Sequence, residues 1–246
     1  IYQDVVSFAF WCRKSNIDKI KKQFFEENIR FGLGLIFHIS PSNVPINFAY
    51  TFVFGLLTGN SNIVRVSSKN FPQTLIICKE IKKLFCKRKY IDLKKSNLFI
   101  KYEHSEEITK HFSSICNGRV IWGGDQTINK LRTIPIPAHA KEIIFSDKYS
   151  ICIINSEKLN KLKNTEIVKI AEKFYNDTFL FDQNACSSPH LILWLGKEHK
   201  SASKKFWDQL AKITEKKYKL DASSNIDKLM KLYEDSVKLK NIKKVT

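Results

Sequence analysis

Apolar residues are spaced in two ways along this chain. Short continuous runs of strand length alternate with longer stretches in which apolar positions recur three and four residues apart. The run GLGLIFHIS (32–40) predicts a strand, and VPINFAYTFVFGLLTG (44–59) predicts a helix that stops on Gly59, a favoured residue at helix ends. SNIVRVS (61–67) reads as a strand, and FPQTLIICKEIKKLFCK (71–87) as an amphipathic helix with Pro72 near its first turn. SNLFIKY (96–102) is a strand, SEEITKHFSSIC (105–116) a helix with acids in its first turn, and GRVIWGG (118–124) a strand ending in paired glycines. KEIIF (141–145), YSICIIN (149–155) and HLILWLG (190–196) predict further strands, NTEIVKIAEKFYND (164–177) a helix, and the chain beyond reads as helical. Alternation of strand and helix through residues 32–131 predicts an α/β fold, a parallel sheet with helices on both faces.

Such sheets bind ligands at the carboxyl ends of their strands. Three polar stretches, SPSNVP (40–45), SSKN (67–70) and GGDQ (123–126), each follow a strand and precede a helix. Helix starts offer free N–H groups and a positive dipole end, which suit phosphate. Arg65 precedes the second stretch and Lys69 lies within it. The GxGxxG fingerprint of dinucleotide binding is absent from the sequence.

Composition narrows the class. The 246 residues are 43% hydrophobic and 27% charged, as expected for a soluble globular protein of one large or two modest domains, and a cytoplasmic location is expected. The longest apolar run, INFAYTFVFGLL (46–57), is interrupted by Asn47 and Gly55 and is too short to span a bilayer. The chain opens on Ile1 in mid-pattern, so we expect a segment of a longer protein. The net charge of +18 comes largely from lysines set beside glutamates on predicted helix faces, the pattern of a solvated surface. There is no arginine-rich arm, RNA-binding signature or helix-turn-helix, so no nucleic-acid partner is expected. A basic nucleic-acid-binding module stays as an alternative that charge alone suggests, and a steep salt dependence of DNA affinity would mark it.

The six cysteines, Cys12, Cys78, Cys86, Cys116, Cys152 and Cys186, form no CxxC pair, which speaks against both a disulfide framework and a zinc or other metal site. Cys78 and Cys152 lie in apolar runs and read as small buried hydrophobes. Cys186, in DQNACSSPH (182–190), does not fit that reading, because its neighbours are polar. His38 lies within an apolar strand and reads as a hydrogen-bonded core histidine; Trp122 and Trp194 read as packing residues.

ISPSNVP, GNSNIVRVSSKN, VIWGGDQTIN, FSDKYS and FDQNACSS, in this order over residues 30–196, resemble the LuxC-type long-chain acyl-CoA (fatty acyl) reductases, a branch of the aldehyde dehydrogenase superfamily. The resemblance implies an NADP-binding domain over 1–145, N-terminal helices followed by a Rossmann-like sheet, and a catalytic domain over 146–246 that is incomplete at its C-terminus. It implies that Cys186 is the nucleophile and that Asn43 gives an amide to the oxyanion hole. Arg65 falls where many aldehyde dehydrogenases have a lysine that holds the adenosine ribose, with Ser67, Ser68 and Lys69 beside it. Gly123, Gly124 and Asp125 match the loop where the cofactor pyrophosphate meets a helix start.

FSDKYS resembles the segment that reads Glu-Leu-Gly-Gly-Lys in aldehyde dehydrogenases. Aligned on Lys148, the glutamate position is Ile144, so the usual general base is missing. An oxidiser needs that glutamate to activate water against the acyl-enzyme, whereas for a reductase water is a competitor. The implied activity is therefore NADPH-dependent reduction of a fatty acyl-CoA or acyl-protein thioester to the aldehyde through an acyl-cysteine. The alternative is an oxidative NAD(P)-dependent aldehyde dehydrogenase. NADPH is expected because an arginine can accommodate a 2′-phosphate. An acyl-protein synthetase is the implied partner, and the full-length protein is expected to be a homo-oligomer. His139, Glu142 and His190 are candidates for activating the thiol, each with a structural reading beside it. Helices at 200–215 and 224–238 are expected to leave Phe206, Leu210, Leu229 and Leu232 uncovered.

Overall fold

A computed structural model of the chain describes residues 2–25, 30–180, 182–219 and 222–238. It divides into two units, Ile1–Asp147 and Lys148–Thr246. The first unit runs α1 (Gln3–Trp11), α2 (Lys14–Phe25), β1 (Leu35–Ile39), α3 (Asn47–Leu57), β2 (Ser61–Arg65), α4 (Pro72–Phe85), a 3-10 turn (Arg88–Tyr90), α5 (Ile91–Ser96), β3 (Asn97–Ile100), α6 (Glu106–Ile115), β4 (Gly118–Trp122), α7 (Asp125–Arg132) and β5 (Lys141–Phe145). The second runs β6 (Ser150–Asn155), α8 (Ser156–Asn160), α9 (Asn164–Thr178), β7 (Pro189–Leu195), α10 (His199–Lys217) and α11 (Ala222–Lys238).

In the first unit β1 to β5 form one parallel sheet in the order β3-β2-β1-β4-β5. β1 lies at its centre, covered on both faces, which is why Leu35–Ile39 is a nearly continuous apolar run. On one face Phe48, Ala49 and Phe52 of α3 and Ile77 of α4 pack on Val64 and Val66. On the other, Phe112 of α6 and Ile128 of α7 close over Phe37, Ile39, Ile63 and Ile121.

Two polar features interrupt this core, and both are satisfied. His38 is buried, with Nδ1 2.8 Å from Thr51 Oγ1 and Nε2 2.9 Å from Asn62 Oδ1. Asn62 in turn donates to Asn97 Oδ1 at 2.8 Å, so the cluster links β1, β2, β3 and α3. Gly55 is the residue of α3 that crosses this cluster; a Cβ there would collide with Asn62 Oδ1. Burial pushes the His38 imidazole down to a pKa of about 4, so it is neutral, as expected of a core histidine. Arg119 of β4 is also buried. It meets Glu142 of β5 at 2.5 Å and donates to Ser113 Oγ and Ile134 O at 3.1 and 2.9 Å.

In the second unit β6 and β7 pair in parallel. One face of this ribbon carries Ile154, Ile192 and Trp194 against a core of Leu159, Ile167, Ala171, Tyr175, Ala202, Phe206, Leu210 and Ile213 from α8, α9 and α10. The other face leaves Ile151, Ile153, Leu191, Leu193 and Leu195 exposed.

Several expectations are corrected here. Phe206 and Leu210 are buried, because α10 lies against α9; Leu229 and Leu232, at 48% and 43% exposure, are uncovered as expected. Cys78 and Cys152 are only half-buried, Cys86 is exposed like Cys186, and Cys116 is the buried thiol. Trp194 packs against Phe206, and Trp122 stacks on Phe145. Among the described residues no helix is long and apolar enough to cross a membrane.

Candidate active site

The register of the first sheet places the three polar stretches on one edge. Ile39 pairs with Arg65 on one side and with Ile121 on the other, so β1, β2 and β4 end in a row. The chain leaves β1 toward β2 and β3, then returns to the far side of β1 for β4 and β5, which puts the topological switch point between β1 and β4.

Arg65 ends β2. Its Nη2 donates to the Tyr102 carbonyl at 3.3 Å, and its guanidinium lies 4.9 Å from the centre of the Tyr102 ring. Ser67 is buried, and its Oγ accepts the Lys69 N–H at 3.1 Å; Ser68 is half-buried and the Lys69 side chain is exposed. Asn43 is exposed in the bend between β1 and α3. Gly123 donates to Phe145 O at 3.2 Å, and Gly124 caps α7, with Asp125 exposed in its first turn. A Cβ on Gly124 would stand 2.9 Å from Asp147 Oδ2, the end of an exposed side chain that can turn aside.

Among the described residues of this unit, the buried side-chain polar atoms without a protein partner are Ser40 Oγ, Arg65 Nε and Trp122 Nε1. All three lie at the carboxyl ends of β1, β2 and β4. Buried polar atoms normally find a partner, so this edge has the chemistry of a site for a polar ligand. The residues present fit a nicotinamide dinucleotide: orphaned polar atoms at the switch point, cations at Arg65 and Lys69, and a glycine pair at a helix start.

In the second unit the chain leaves α9 at Thr178 and enters β7 at Pro189. Asp182 and Gln183 both adopt left-handed backbone conformations, with φ of 52° and 61°. Such residues cost of order 1 kcal/mol or more each unless their surroundings hold them. Here Asp182 N–H bonds to Phe179 O at 3.1 Å and Gln183 N–H to Thr178 O at 2.8 Å. At the far end of the loop Ser188 is buried and donates to Asp177 O at 2.9 Å, and Ser150 Oγ donates to the Cys186 carbonyl at 2.6 Å. The loop is fixed at both ends, and the Cys186 side chain between them is exposed. A thiol presented in this way is open to an incoming carbonyl.

The three candidate activators have separate settings. Glu142 is engaged by Arg119 and by Arg132 Nε at 3.3 Å, a structural role. His139 Nε2 lies 3.2 Å from Asn117 Nδ2 in the first unit. His190, in the unit of Cys186, stacks on Tyr149. Ile144 pairs with Ile121 and is 36% exposed. Among the described residues no group of three or more His, Cys, Asp or Glu could hold a metal ion. Sequence reasoning missed Ser150, though it closes the FSDKYS motif, and it missed Tyr218 and Lys228, both bonded to the Asp182 carboxylate.

A model of the acyl-CoA reductase (LuxC) family matches residues 4–239. The chain belongs to this family. Among curated relatives, long-chain acyl-protein thioester reductase 2 of Photobacterium leiognathi is 28% identical over 183 residues, covering 71% of this chain and 34% of its own length. The long-chain acyl-protein thioester reductase of Aliivibrio fischeri is 25% identical over 172 residues, covering 66% of this chain and 32% of its own. This LuxC chain thus spans about a third of the length of those relatives. Its fold is shared with aldehyde dehydrogenases. An NAD-dependent benzaldehyde dehydrogenase from Corynebacterium glutamicum superposes with a TM-score of 0.59 at 16% identity, covering 80% of this chain and 44% of that one. A betaine aldehyde dehydrogenase from Staphylococcus aureus gives 0.54 at 19% identity, covering 75% and 34%.

Proposed function

We propose that this LuxC chain carries the cofactor edge and the nucleophile of a reductase that converts a long-chain acyl thioester, on CoA or on a protein, to the aldehyde. The observation that carries this reading is the exposed Cys186 thiol in a loop tied down by Ser150 and Ser188. The Cys186 thiolate attacks the thioester carbonyl, the C–S bond to CoA or to the donor protein breaks, its sulfur leaves as a thiolate that takes a proton from water, and an acyl-cysteine forms. Asn43 and the Cys186 N–H supply the oxyanion donors, on the family resemblance; loss of one such donor costs about 3–4 kcal/mol. A nicotinamide cofactor held by Arg65, Lys69 and the Gly123–Gly124 loop would supply hydride for reduction of the acyl carbon. The resulting thiohemiacetal on Cys186 collapses, releasing aldehyde and restoring the thiolate.

In this reading residues 1–145 bind the cofactor and 146–246 carry the acyl chemistry. Arg65, Ser67, Ser68 and Lys69 take the adenosine ribose and its 2′-phosphate, which makes NADPH the preferred cofactor. Gly123, Gly124 and Asp125 take the pyrophosphate at the start of α7. An acyl-protein synthetase delivers the acyl group, and the protein works as a cytoplasmic homo-oligomer. Ile144 favours reduction over oxidation, because an apolar side chain where aldehyde oxidisers have glutamate cannot activate water against the acyl-enzyme. Incubating the protein with an acyl-CoA and digesting it should give a peptide containing Cys186 that carries the acyl mass, and added NADPH should discharge it as aldehyde. Acyl mass on other cysteines alone, or discharge as the acid, would sink the proposal.

A further inference from the structure

We propose that Tyr218 and Lys228 are positioning residues for Cys186, acting through the carboxylate of Asp182; this rests on the reading of Cys186 as the nucleophile. Tyr218 caps the C-terminus of α10 and Lys228 lies in the middle of α11, so neither belongs to the loop. Both reach the same oxygen. The Tyr218 hydroxyl donates to Asp182 Oδ1, and Lys228 Nζ stands 2.5 Å from it. Lys228 also bonds the Tyr218 oxygen, and its ammonium lies 4.9 Å from the Tyr218 ring centre. The Tyr218 ring in turn packs edge-on against Phe179, the C-cap of α9, at 5.0 Å. Tyr218 therefore touches both sides of the turn that starts the nucleophile loop, and Lys228 holds its Asp182 side.

That turn needs a clasp. Asp182 and Gln183 are consecutive non-glycine residues in the left-handed region, a conformation that local preference does not hold. Ser150 and Ser188 fix the far end of the loop, so the clasp is the near-end counterpart of those serines. Burial and the Asp182 carboxylate both push the Tyr218 phenol up, so it keeps its proton and remains a donor at neutral and mildly alkaline pH. The lysine compensates the carboxylate charge. If the clasp opens, the left-handed pair can relax, and a shift of Cys186 by about 1 Å can cost as much as 100-fold in rate.

The test uses the intact protein with Tyr218→Phe, Lys228→Met and Lys228→Arg, and with Cys186→Ala as a control. We measure the rate of acyl transfer from an acyl-CoA, the pH profile of Cys186 alkylation by iodoacetamide, the affinity for NADPH and the thermal midpoint. Tyr218→Phe and Lys228→Met should each slow acylation by about 10-fold or more, with a displaced alkylation profile, a cofactor affinity within about twofold and a folded protein. Lys228→Arg, which keeps the charge, should recover most of the rate. Wild-type acylation rates in both variants would overturn the proposal. So would a loss of rate matched by an equal loss of cofactor binding or folded fraction. If Cys186→Ala still takes up acyl label, it is the nucleophile reading that fails; if it does not and the clasp variants are silent, only the clasp fails.

Discussion

Arg65 stands at the end of β2 with its Nη2 on the Tyr102 carbonyl and its Nε buried without a protein partner, so the guanidinium is braced on one side and unsatisfied on the other. A braced arginine is preorganised for a phosphate. Arg65→Ala should raise the Michaelis constant for NADPH by about 10-fold, or 1.4 kcal/mol, and that for NADH by much less; equal effects in steady-state kinetics would mean that Arg65 only supports Tyr102. A cation after a strand was legible in the sequence, and so was a thiol among polar neighbours at Cys186. The bracing by Tyr102 was not, because it joins residues 37 apart, one at the end of β2 and the other just past β3. Tyr218 and Lys228 were out of reach for the same reason. They lie 36 and 46 residues from Asp182, in lysine-rich helices where nothing distinguishes one lysine from the next.

At the scale of elements, the polar cluster across β1, β2, β3 and α3 makes the first sheet sensitive to acid. His38 has an ordinary value of 6.5 when exposed and about 4 in the fold, with burial as the main cause. Between those values the unfolded chain binds a proton that the folded one refuses. The His38 contribution is therefore fully present above about pH 6.5 and is lost as pH falls toward 4, by up to roughly 3 kcal/mol. Urea unfolding at a series of pH values should show that slope in the wild type and a shallower one in His38→Gln; parallel curves would remove His38 as its source. The strands and long helices of this sheet were legible because their periods run for several residues. α5, α8 and the 3-10 turn were not, since a helix of one or two turns has too few positions to show a period and depends on its neighbours to form. The burial of Phe206 and Leu210 was misread for a related reason: a helical pattern gives the apolar face but not the element it meets, here α9.

For the whole molecule, the open face of the β6–β7 ribbon and the uncovered residues of α11 are the main liability. Ile151, Ile153, Leu191, Leu193 and Leu195 form one apolar face on two paired strands, and such faces associate. The 246-residue chain by itself should self-associate with rising concentration. Ile153→Thr with Leu193→Thr, a directly paired couple, should reduce that several-fold in light scattering while leaving the ribbon intact; unchanged scattering would place the sticky surface elsewhere. The order of strands in the chain has a consequence of another kind, in time. All five strands of the first sheet lie before residue 146, and Cys186 follows on the return arm of the crossover from β6 to β7. During synthesis at about 5–20 residues per second, the strands of the first sheet are all made some seconds before Cys186. Ribosome-bound chains stopped shortly before Cys186, with residues 1–147 clear of the exit tunnel, should already resist protease over that unit; cleavage throughout it would show that the sheet waits for the second unit. On the proposed reading, the newborn protein makes its cofactor-binding strands before its nucleophile.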